Sequence, residues 1–455
     1  MRAHDFEDTL VWRTDTGYEK AWAGILWNDI KPQRFPDVIV RATCVDHVQA
    51  ATRLARARGL RVALRGSGHS WCGSPLRDGG MLIDLSRLCH RTIDPASATA
   101  TVQPGVLGRE LALTLEDHNL AFPTGHCPSV AVSGFLLSGG LGWNPGPWGP
   151  ACAGVQEIEA VTADGELVRC SERENSELLW AARGAGAGFF AAVTSFRLGL
   201  HPLPRAIMTS RYVFRLADLD DVAHWMDEVA AVAPTSVELS IVLTTADEAL
   251  TTERPAPKVA VVTGTAFASS PEEAIRSLEP LRVCPIAERA LLSEVDELAS
   301  FDVLYAGSAA LWPEGHRTAA DTLWFREDCA TLLSRVRHFV DNAPSDKSLV
   351  LVPMSPAGPS GVGLPDMAFS ALGESYLVCY AIWKDPREDE ANIRWLREMM
   401  RAIEPFGTGH YIAETDLLAA PFRAQRSFTP EAWERLRTLR AQHDPDGLFQ
   451  PYLHP

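Results

Sequence analysis

The chain reads LRGSGHSWCG from Leu64 to Gly73, directly after a short apolar run that is typical of a buried strand. Upstream, the pattern predicts a strand at 38–40, a helix at 46–58 that ends at Gly59, and a second strand at 60–64. A strand, a helix and a strand at this spacing form a βαβ unit with parallel strands. The stretch therefore predicts a glycine-rich loop at the carboxyl end of a parallel strand.

This first loop has the composition of an anion-binding loop. Its two glycines and two serines allow backbone N–H groups to turn inward on a phosphate. It is not a Walker A loop, because no Gly-Lys-Ser/Thr follows, and Trp71 stands where the dinucleotide fingerprint GxGxxG needs its third glycine. On composition alone, a structural turn and a pyrophosphate cradle remain equally compatible with it.

A second glycine-rich region begins with PTGHC at 123–127 and continues to SGGLGW at 138–143. Glycines this dense, in a segment too apolar for a surface linker, indicate a backbone that approaches a ligand closely. Two such loops in one domain predict an extended ligand with a diphosphate and a flat ring system.

Composition limits the class of protein and its partners. A length of 455 residues predicts two or three domains at roughly 100–200 residues each. The net charge of −16 argues against nucleic acid or an anionic membrane as a partner. No apolar run reaches the roughly 18–20 residues that span a bilayer, and the acidic N-terminus does not resemble a signal peptide. Nine cysteines without any CxxC pair disfavour a disulfide framework or a zinc site, so we expect a cytoplasmic protein.

The pattern along the chain predicts four segments. Residues 1–35 form a helical lead-in, and 36–204 form a first domain that ends at a proline pair. From 205 to 405, longer strands alternate with helices, which predicts an α+β domain with helices on one face of a sheet. Residues 406–455 carry a helix that Thr429 caps, and they return to the first domain.

Four ordered motifs resemble a known family: RGSGHSWCG, PTGHC, VSGFLLSGGLGW and LLWAARGAGAGFFAAVTSF. They are similar to the FAD-binding domain of the vanillyl-alcohol oxidase / p-cresol methylhydroxylase (PCMH) superfamily, and within it to the berberine bridge enzyme-like oxidases. The resemblance covers 36–204 and the closing DPDGLF. It implies an α+β protein with a PCMH-type FAD-binding domain of two subdomains and an α+β substrate domain whose sheet is mainly antiparallel.

The resemblance also implies how FAD is held. His69 matches the histidine that the family joins to the flavin 8α-methyl carbon, and Cys127 matches the cysteine joined to flavin C6. The plainer alternatives are a loop histidine bonded to a backbone carbonyl and a buried free thiol. The remaining cofactor-binding residues implied by the motifs are Arg65, Gly66, Ser67, Gly68, Ser70, Trp71, Gly105, Gly125, Val130, Ser133, Gly134, Gly139, Gly140, Gly142, Trp143 and Ile158.

In the family, a strand near the C-terminus passes the flavin ring with the pattern tyrosine, any residue, asparagine, tyrosine, any residue, aspartate. Here the matching segment reads GHYIAETD at 409–416, so Tyr411 and Asp416 fit, while Ala413 and Glu414 depart from the pattern. Tyr411 is the first candidate for the catalytic base.

Glu414 is the second candidate, because a carboxylate beside a flavin can accept a proton if burial raises its pKa. Its alternative fates are exposure to solvent or a pair with Arg423. Tyr380 and Glu238 on the middle-domain strands are the next candidates. Trp143 and Trp148 either line the substrate site or an oxygen channel, or pack on the lead-in.

The function implied is that of an FAD-dependent oxidase acting on a small molecule or secondary metabolite. It would transfer a hydride from substrate to flavin, with dioxygen as the electron acceptor and hydrogen peroxide as the product. Two alternatives remain. One is a redox-neutral cyclase or a dehydrogenase with another acceptor, and the other is a catalytically silent flavoprotein.

Overall fold

The computed structural model describes residues 6–354 and 363–453. Its first sheet has the strand order β1–β2–β4–β3, in which β2, β4 and β3 are parallel. The predicted strands β2 and β3 are therefore parallel, although β4 lies between them. The elements of this part are β1 (Leu10–Trp12), α1 (Tyr18–Ala23), β2 (Val38–Arg41), α2 (Val45–Ala57), β3 (Val62–Arg65) and β4 (Met81–Asp84).

The prediction that residues 1–35 are helical is wrong in part. In the described part of this segment, residues 6–35, α1 is a six-residue helix, and β1 pairs antiparallel with β2. The apolar Leu10–Trp12 run covers what would otherwise be an open edge of the sheet, and this pairing outweighs the local helical pattern.

A second sheet has the order β5–β6–β10–β8–β9, and its neighbouring strands are antiparallel. The predicted strands around the turn at 163–165 are confirmed as β8 and β9. The elements of this part are β5 (Arg91–Asp94), β6 (Thr99–Val102), α3 (Gly108–Glu116), β7 (Leu120–Ala121), α4 (Val132–Leu137), α5 (Pro145–Trp148), β8 (Val155–Val161), β9 (Leu167–Ser171), α6 (Ser176–Ala182), β10 (Ala192–Gly199) and β11 (His201–Pro202).

A seven-stranded sheet follows, in the order β15–β12–β14–β13–β17–β18–β16, and all its neighbouring strands are antiparallel. This confirms the α+β class with a mainly antiparallel sheet. The elements are β12 (Ala206–Arg215), α7 (Leu219–Val232), β13 (Val237–Thr245), β14 (Lys258–Ala268), α8 (Pro271–Ser277), α9 (Glu279–Arg282), β15 (Leu292–Ala299), α10 (Phe301–Leu311), β16 (Arg317–Phe325), α11 (Cys329–Asp341), β17 (Leu349–Pro353), β18 (Ser375–Trp383) and α12 (Asp389–Ile403).

The two faces of this sheet differ in what covers them. Apolar side chains of α7, α8, α11 and α12 pack with alternate strand residues into one large core. The opposite face carries the other half of each strand, and much of it faces a cavity instead of a helical layer. The sheet therefore presents one row of side chains per strand to a ligand.

The C-terminal helix α13 (Pro430–His443) begins where it was predicted, and the Thr429 hydroxyl accepts a hydrogen bond from Ala432 N–H at 3.2 Å. Its Leu436 and Leu439 lie in the same core as α6. Beyond the helix, Leu448 O and Gln450 N bond to the Val62 backbone of β3. The four-segment division of the chain stays a prediction. In the described ranges, no helix is long and apolar enough to cross a membrane.

Candidate active site

A cavity of about 1470 Å³ lies between the glycine-rich loops and the open face of the seven-stranded sheet. Sites for a single small ligand usually measure about 300–1,000 Å³, so this one has room for an extended cofactor and a substrate. The cavity brings together most of the residues expected from sequence. They are Arg65, Gly66, Ser67, Gly68, His69, Ser70, Trp71, Gly125, Cys127, Val130, Ser133, Gly134, Gly142 and Trp143, with Tyr411 and Glu414.

Four expected cofactor residues do not line the cavity: Gly105, Gly139, Gly140 and Ile158. Ile158 is buried inside the core of the second sheet. Gly139 and Gly140 bond through their carbonyls to the backbone of 151–152, and a Cβ at Gly105 would meet the Ser86 carbonyl at 2.5 Å. These four residues therefore contact the surrounding protein and not the cavity.

His69 lies in the wall of the cavity, and its two ring nitrogens differ in their surroundings. Its Nε2 lies 2.9 Å from Ser129 Oγ, whereas its buried Nδ1 has no hydrogen-bond partner among the residues that the structure describes. Burial and the nearby Arg65 lower the pKa of His69 to about 3, so the imidazole is neutral. A ring whose Nε2–H donates to Ser129 keeps the Nδ1 lone pair free to form a bond.

Cys127 lies beside the same serine, with its Sγ 3.6 Å from Ser129 Oγ. Burial raises the pKa of the Cys127 thiol. One hydroxyl thus contacts both expected attachment residues, which places them close together. A Cβ on Gly134, in the wall of the same cavity, would meet no atom within 4 Å. The neutral His69 ring, the adjacent Cys127 thiol and the open backbone at Gly134 fit a flat cofactor.

Arg65 lines the cavity but is occupied by other contacts. Its guanidinium donates to Asp84 and to the Ile25 carbonyl, each at 3.0 Å, and to the Ser67 carbonyl at 3.2 Å. Ser67 in turn accepts a hydrogen bond from Ala131 N–H at 2.8 Å, which joins the two glycine-rich loops. Arg65 therefore fixes the loop's shape.

The expected strand at 409–416 is not a strand. Gly409 makes one bridge to Trp324, after which the chain turns, with the Glu414 and Thr415 N–H groups both donating to the Tyr411 carbonyl. This turn aims the Tyr411 and Glu414 side chains at the cavity.

A buried ionic network holds that turn in place. Asp321 on β16 is fully buried and accepts hydrogen bonds from Thr415 Oγ1 at 3.0 Å and Asp416 N–H at 3.1 Å. Its second oxygen pairs with the buried Arg423. Thr415 and Asp416 belong to the 409–416 segment, so their hydrogen bonds to Asp321 stabilise the turn in place of regular strand pairing.

Glu414 is held by two tyrosines of β18. Tyr380 donates to its Oε1 at 2.5 Å, and Tyr376 donates to Oε2. The two tyrosines share a face of the strand, where side chains alternate. Glu414 does not pair with Arg423, because Arg423 pairs with Asp321. Nor is Glu414 fully exposed to solvent, because it is half-buried in the cavity wall. Tyr376 was not anticipated from sequence, since a contact between β18 and the 409–416 turn leaves no local pattern.

Tyr411 is fully enclosed. Its hydroxyl accepts a hydrogen bond from Gly140 N–H at 3.1 Å, and its ring lies edge-on to Tyr376. Burial, followed by the Glu414 carboxylate, raises the pKa of Tyr411 well above its usual value.

Burial is the largest influence on every tyrosine, and it raises the pKa in each case. We expect fewer than half of the native tyrosines to be ionised at about pH 10, where half are ionised in an unfolded chain. Because the unfolded state then loses protons first, stability should fall as the pH rises through about 10. Titration curves of tyrosinate absorbance against pH, recorded for the native protein in buffer and for the unfolded protein in guanidinium, test this. Native and unfolded curves that coincide would contradict it. The seven are Tyr18, Tyr212, Tyr305, Tyr376, Tyr380, Tyr411 and Tyr452.

The chain is similar to known proteins both in sequence and in structure. A family model described as FAD binding domain matches residues 36–171. The FAD-linked oxidoreductase penO of Penicillium crustosum is 30% identical over 447 residues, covering 97% of this chain and 96% of that protein. The FAD-linked oxidoreductase ptmO of Penicillium ochrochloron is 31% identical over 447 residues, with the same coverage of 97% and 96%.

Solved structures share the fold along nearly the whole chain. The 6-hydroxy-D-nicotine oxidase from Arthrobacter nicotinovorans superposes with a TM-score of 0.83 at 22% identity, covering 98% of this chain and 97% of that one. Physcomitrella patens BBE-like 1 gives a TM-score of 0.83 at 19% identity and covers 99% of both chains.

Proposed function

The chain belongs to the FAD-linked oxidoreductases of the berberine bridge enzyme-like group, and on this premise we propose that it is an oxidase for a small molecule or secondary metabolite. When bound, FAD supplies hydride acceptance and passes the electrons to dioxygen, which gives hydrogen peroxide. The single observation that carries the proposal is a carboxylate, Glu414, held by two phenols in the wall of the cavity.

We propose that Glu414 accepts the substrate proton. Burial and the Glu414 charge raise the pKa of Tyr376 and of Tyr380 well above the usual value, so both phenols stay protonated and donate. They fix the orientation of the carboxylate, while its remaining lone pairs can receive a proton from a substrate O–H or N–H. Tyr411 is less suited, because burial and the Glu414 carboxylate raise the pKa of its hydroxyl well above the usual value, so the hydroxyl stays protonated.

Anaerobic mixing of the holoenzyme with benzylic alcohols, allylic alcohols and secondary amines tests the activity. Bleaching of the flavin band by a donor in this panel is the expected result. A flavin that no donor reduces would favour the catalytically silent flavoprotein.

We further propose that FAD is bound covalently through His69 and Cys127. Two observations support this. The Nδ1 of the neutral His69 has no hydrogen-bond partner among the described residues, and His69 and Cys127 both contact Ser129. Each link would join His69 Nδ1 or Cys127 Sγ to a flavin carbon, with loss of one C–H proton from the flavin and one N–H or S–H proton from the residue. The two electrons released would pass into the flavin and then to dioxygen.

We expect His69→Ala and Cys127→Ala each to keep FAD through the other link, and the double variant to release it on denaturation. Intact-mass measurement of unfolded protein decides. Cys72→Ala is the matched control, since Cys72 is another free thiol of the cavity wall, and its mass should retain the flavin. A single variant that has already lost the flavin mass would establish one link instead of two.

We also propose a cytoplasmic location and the four-segment domain division given by the sequence. All nine cysteines are free thiols, which a reducing compartment preserves. For the division, the support is the packing of α13 with α6 and the hydrogen bonds of Leu448 and Gln450 to Val62.

A further inference from the structure

Ser129 lies between the two residues that are expected to hold the flavin. Its Oγ is 2.9 Å from His69 Nε2 and 3.6 Å from Cys127 Sγ. His69 and Ser129 are 60 residues apart along the chain, so this hydroxyl joins the two glycine-rich loops at the expected attachment residues. A hydroxyl has one proton and two lone pairs, so it can accept from one partner while it donates to the other. The direction of its two hydrogen bonds therefore decides which residue it activates.

The His69 ring sets this direction. Burial and the Arg65 charge lower the pKa of His69 to about 3, against a hydrogen bond with the Ser129 backbone, so the ring is neutral and carries one N–H. Among the described residues, the buried Nδ1 has no acceptor, so a proton there would be an unpaired donor, whereas Nε2 has Ser129 within reach. The proton therefore lies on Nε2, and Nε2–H donates to Ser129. The Ser129 hydroxyl keeps its own proton for another partner.

The other partner of the Ser129 hydroxyl is the Cys127 thiol. Cys127 is half-buried in the cavity wall, and burial raises the pKa of its thiol. Hydrogen bonds with the side chain and the backbone of Ser129 lower this pKa, whereas the Glu414 carboxylate raises it further. Among these influences, the contacts with Ser129 are those that favour the thiolate, which is the nucleophilic form of cysteine.

We propose that Ser129 is a positioning residue for FAD attachment, whose hydroxyl promotes the bond at Cys127 but not the bond at His69. This inference rests on the covalent attachment proposed above. The hydroxyl donates to Cys127 Sγ as the S–H proton leaves for solvent, and the thiolate then forms the S–C bond. The flavin carbon loses its C–H proton, and the two electrons released pass into the flavin and then to dioxygen.

The bond at His69 does not need the hydroxyl, because the features that set the tautomer remain without it. In an alanine variant the Ser129 backbone still bonds to the ring, and Nδ1 still has no acceptor among the described residues. Trp27 also stacks on the imidazole at a centroid distance of 4.7 Å and holds its plane. For Cys127, in contrast, the Ser129 side chain lowers the pKa more than the Ser129 backbone does. Removal of the hydroxyl should therefore affect one bond and spare the other.

The test follows the two bonds separately in the full-length chain. Protein synthesis is stopped in cells that express wild type, Ser129→Ala or Ser129→Thr, and the protein is purified at intervals, unfolded and digested. Mass spectrometry gives the fractions of unmodified His69 peptide and unmodified Cys127 peptide, which fall as each bond forms. In Ser129→Ala the Cys127 bond should form about 10–100-fold more slowly, the effect of losing a hydrogen bond to a charged group, while the His69 bond forms at the wild-type rate. Ser129→Thr keeps a hydroxyl and should restore the Cys127 rate.

Ser74→Ala is the matched control. Ser74 Oγ lies 3.3 Å from Cys72 Sγ in the same cavity wall, with the same two-residue spacing, but neither residue is expected to bond to flavin, so both rates should stay at wild type. The inference is overturned if Ser129→Ala forms the Cys127 bond at the wild-type rate, or if it slows both bonds equally, as a general loss of structure would. A wild-type protein without any flavin mass would refute covalent attachment itself and the inference with it. That outcome is distinguishable, because it appears before any substitution is made.

Discussion

We expect Glu414→Gln to slow flavin reduction by roughly 10²–10⁴-fold, the usual contribution of a positioned base. The amide keeps the size of the side chain, and its one oxygen can accept from one of Tyr376 and Tyr380, but its NH2 group accepts neither the other hydrogen bond nor a proton at neutral pH. FAD content and the visible spectrum should not change, because Glu414 is not required to hold the cofactor. Anaerobic stopped-flow reduction by the best donor of the alcohol and amine panel gives the rate.

Tyr411→Phe is the matched comparison for Glu414→Gln. It removes a hydroxyl bonded to Gly140 N–H from the same turn, and we expect it to cost less than about tenfold in rate. If Glu414→Gln reduces at a near wild-type rate and Tyr411→Phe does not, Tyr411 is the base, as the family pattern suggested. If both variants are unaffected, Glu238 becomes the leading candidate within the cavity.

Asp321→Asn should destabilise the protein by about 3–5 kcal/mol, the range for removing one partner of a buried ion pair. The variant removes the nearer carboxylate of Arg423, which is 4% exposed, and leaves it only the longer pair with Glu404 at 3.5 Å among the described residues. It also weakens the bonds to Thr415 and Asp416 that hold the turn carrying Glu414. Guanidinium denaturation of the holoenzyme, followed by tryptophan fluorescence, measures the loss.

A surface pair gives the control for Asp321→Asn. Asp302 bonds to Arg109 at 2.6 Å, but its side chain is 55% exposed, so Asp302→Asn should change stability far less. Equal effects of the two substitutions would show that the Asp321 network is not a main anchor of the turn.

Local patterns predicted the helices and strands whose apolar residues recur regularly, every 3.6 residues in a helix or every two in a strand. The sequence pattern predicts helices at Leu219–Val232 and Asp389–Ile403 and a strand at Leu349–Pro353, and these are the bounds of α7, α12 and β17. β15 was missed because it is a largely exposed edge strand with four charged or polar positions interrupting its alternation. The sequence pattern also predicts one helix over 271–281, and the structure divides it into α8 and α9, since Pro280 cannot continue the hydrogen-bond ladder of the first helix.

The parts of the candidate site that consist of residues close together in the sequence could be predicted from the sequence. Glycine-rich loops identified the cofactor side, because closeness of a backbone to a ligand requires glycine. The partners of Glu414 lie on β18, more than thirty residues earlier in the chain. The 409–416 segment likewise turns because of Asp321 on β16, and no pattern within the segment contains that contact. Long-range polar contacts of this kind are decided by packing.

The most direct test of the central claim, that the protein is an oxidase, needs no knowledge of the substrate. The flavin of the purified holoenzyme is reduced photochemically without oxygen and then mixed with air-saturated buffer. The account predicts reoxidation within seconds, since oxidase turnover at about 1–10³ s⁻¹ requires it, with one hydrogen peroxide formed per flavin. A flavin that stays reduced for many minutes, or that reoxidises without forming peroxide, would contradict the claim.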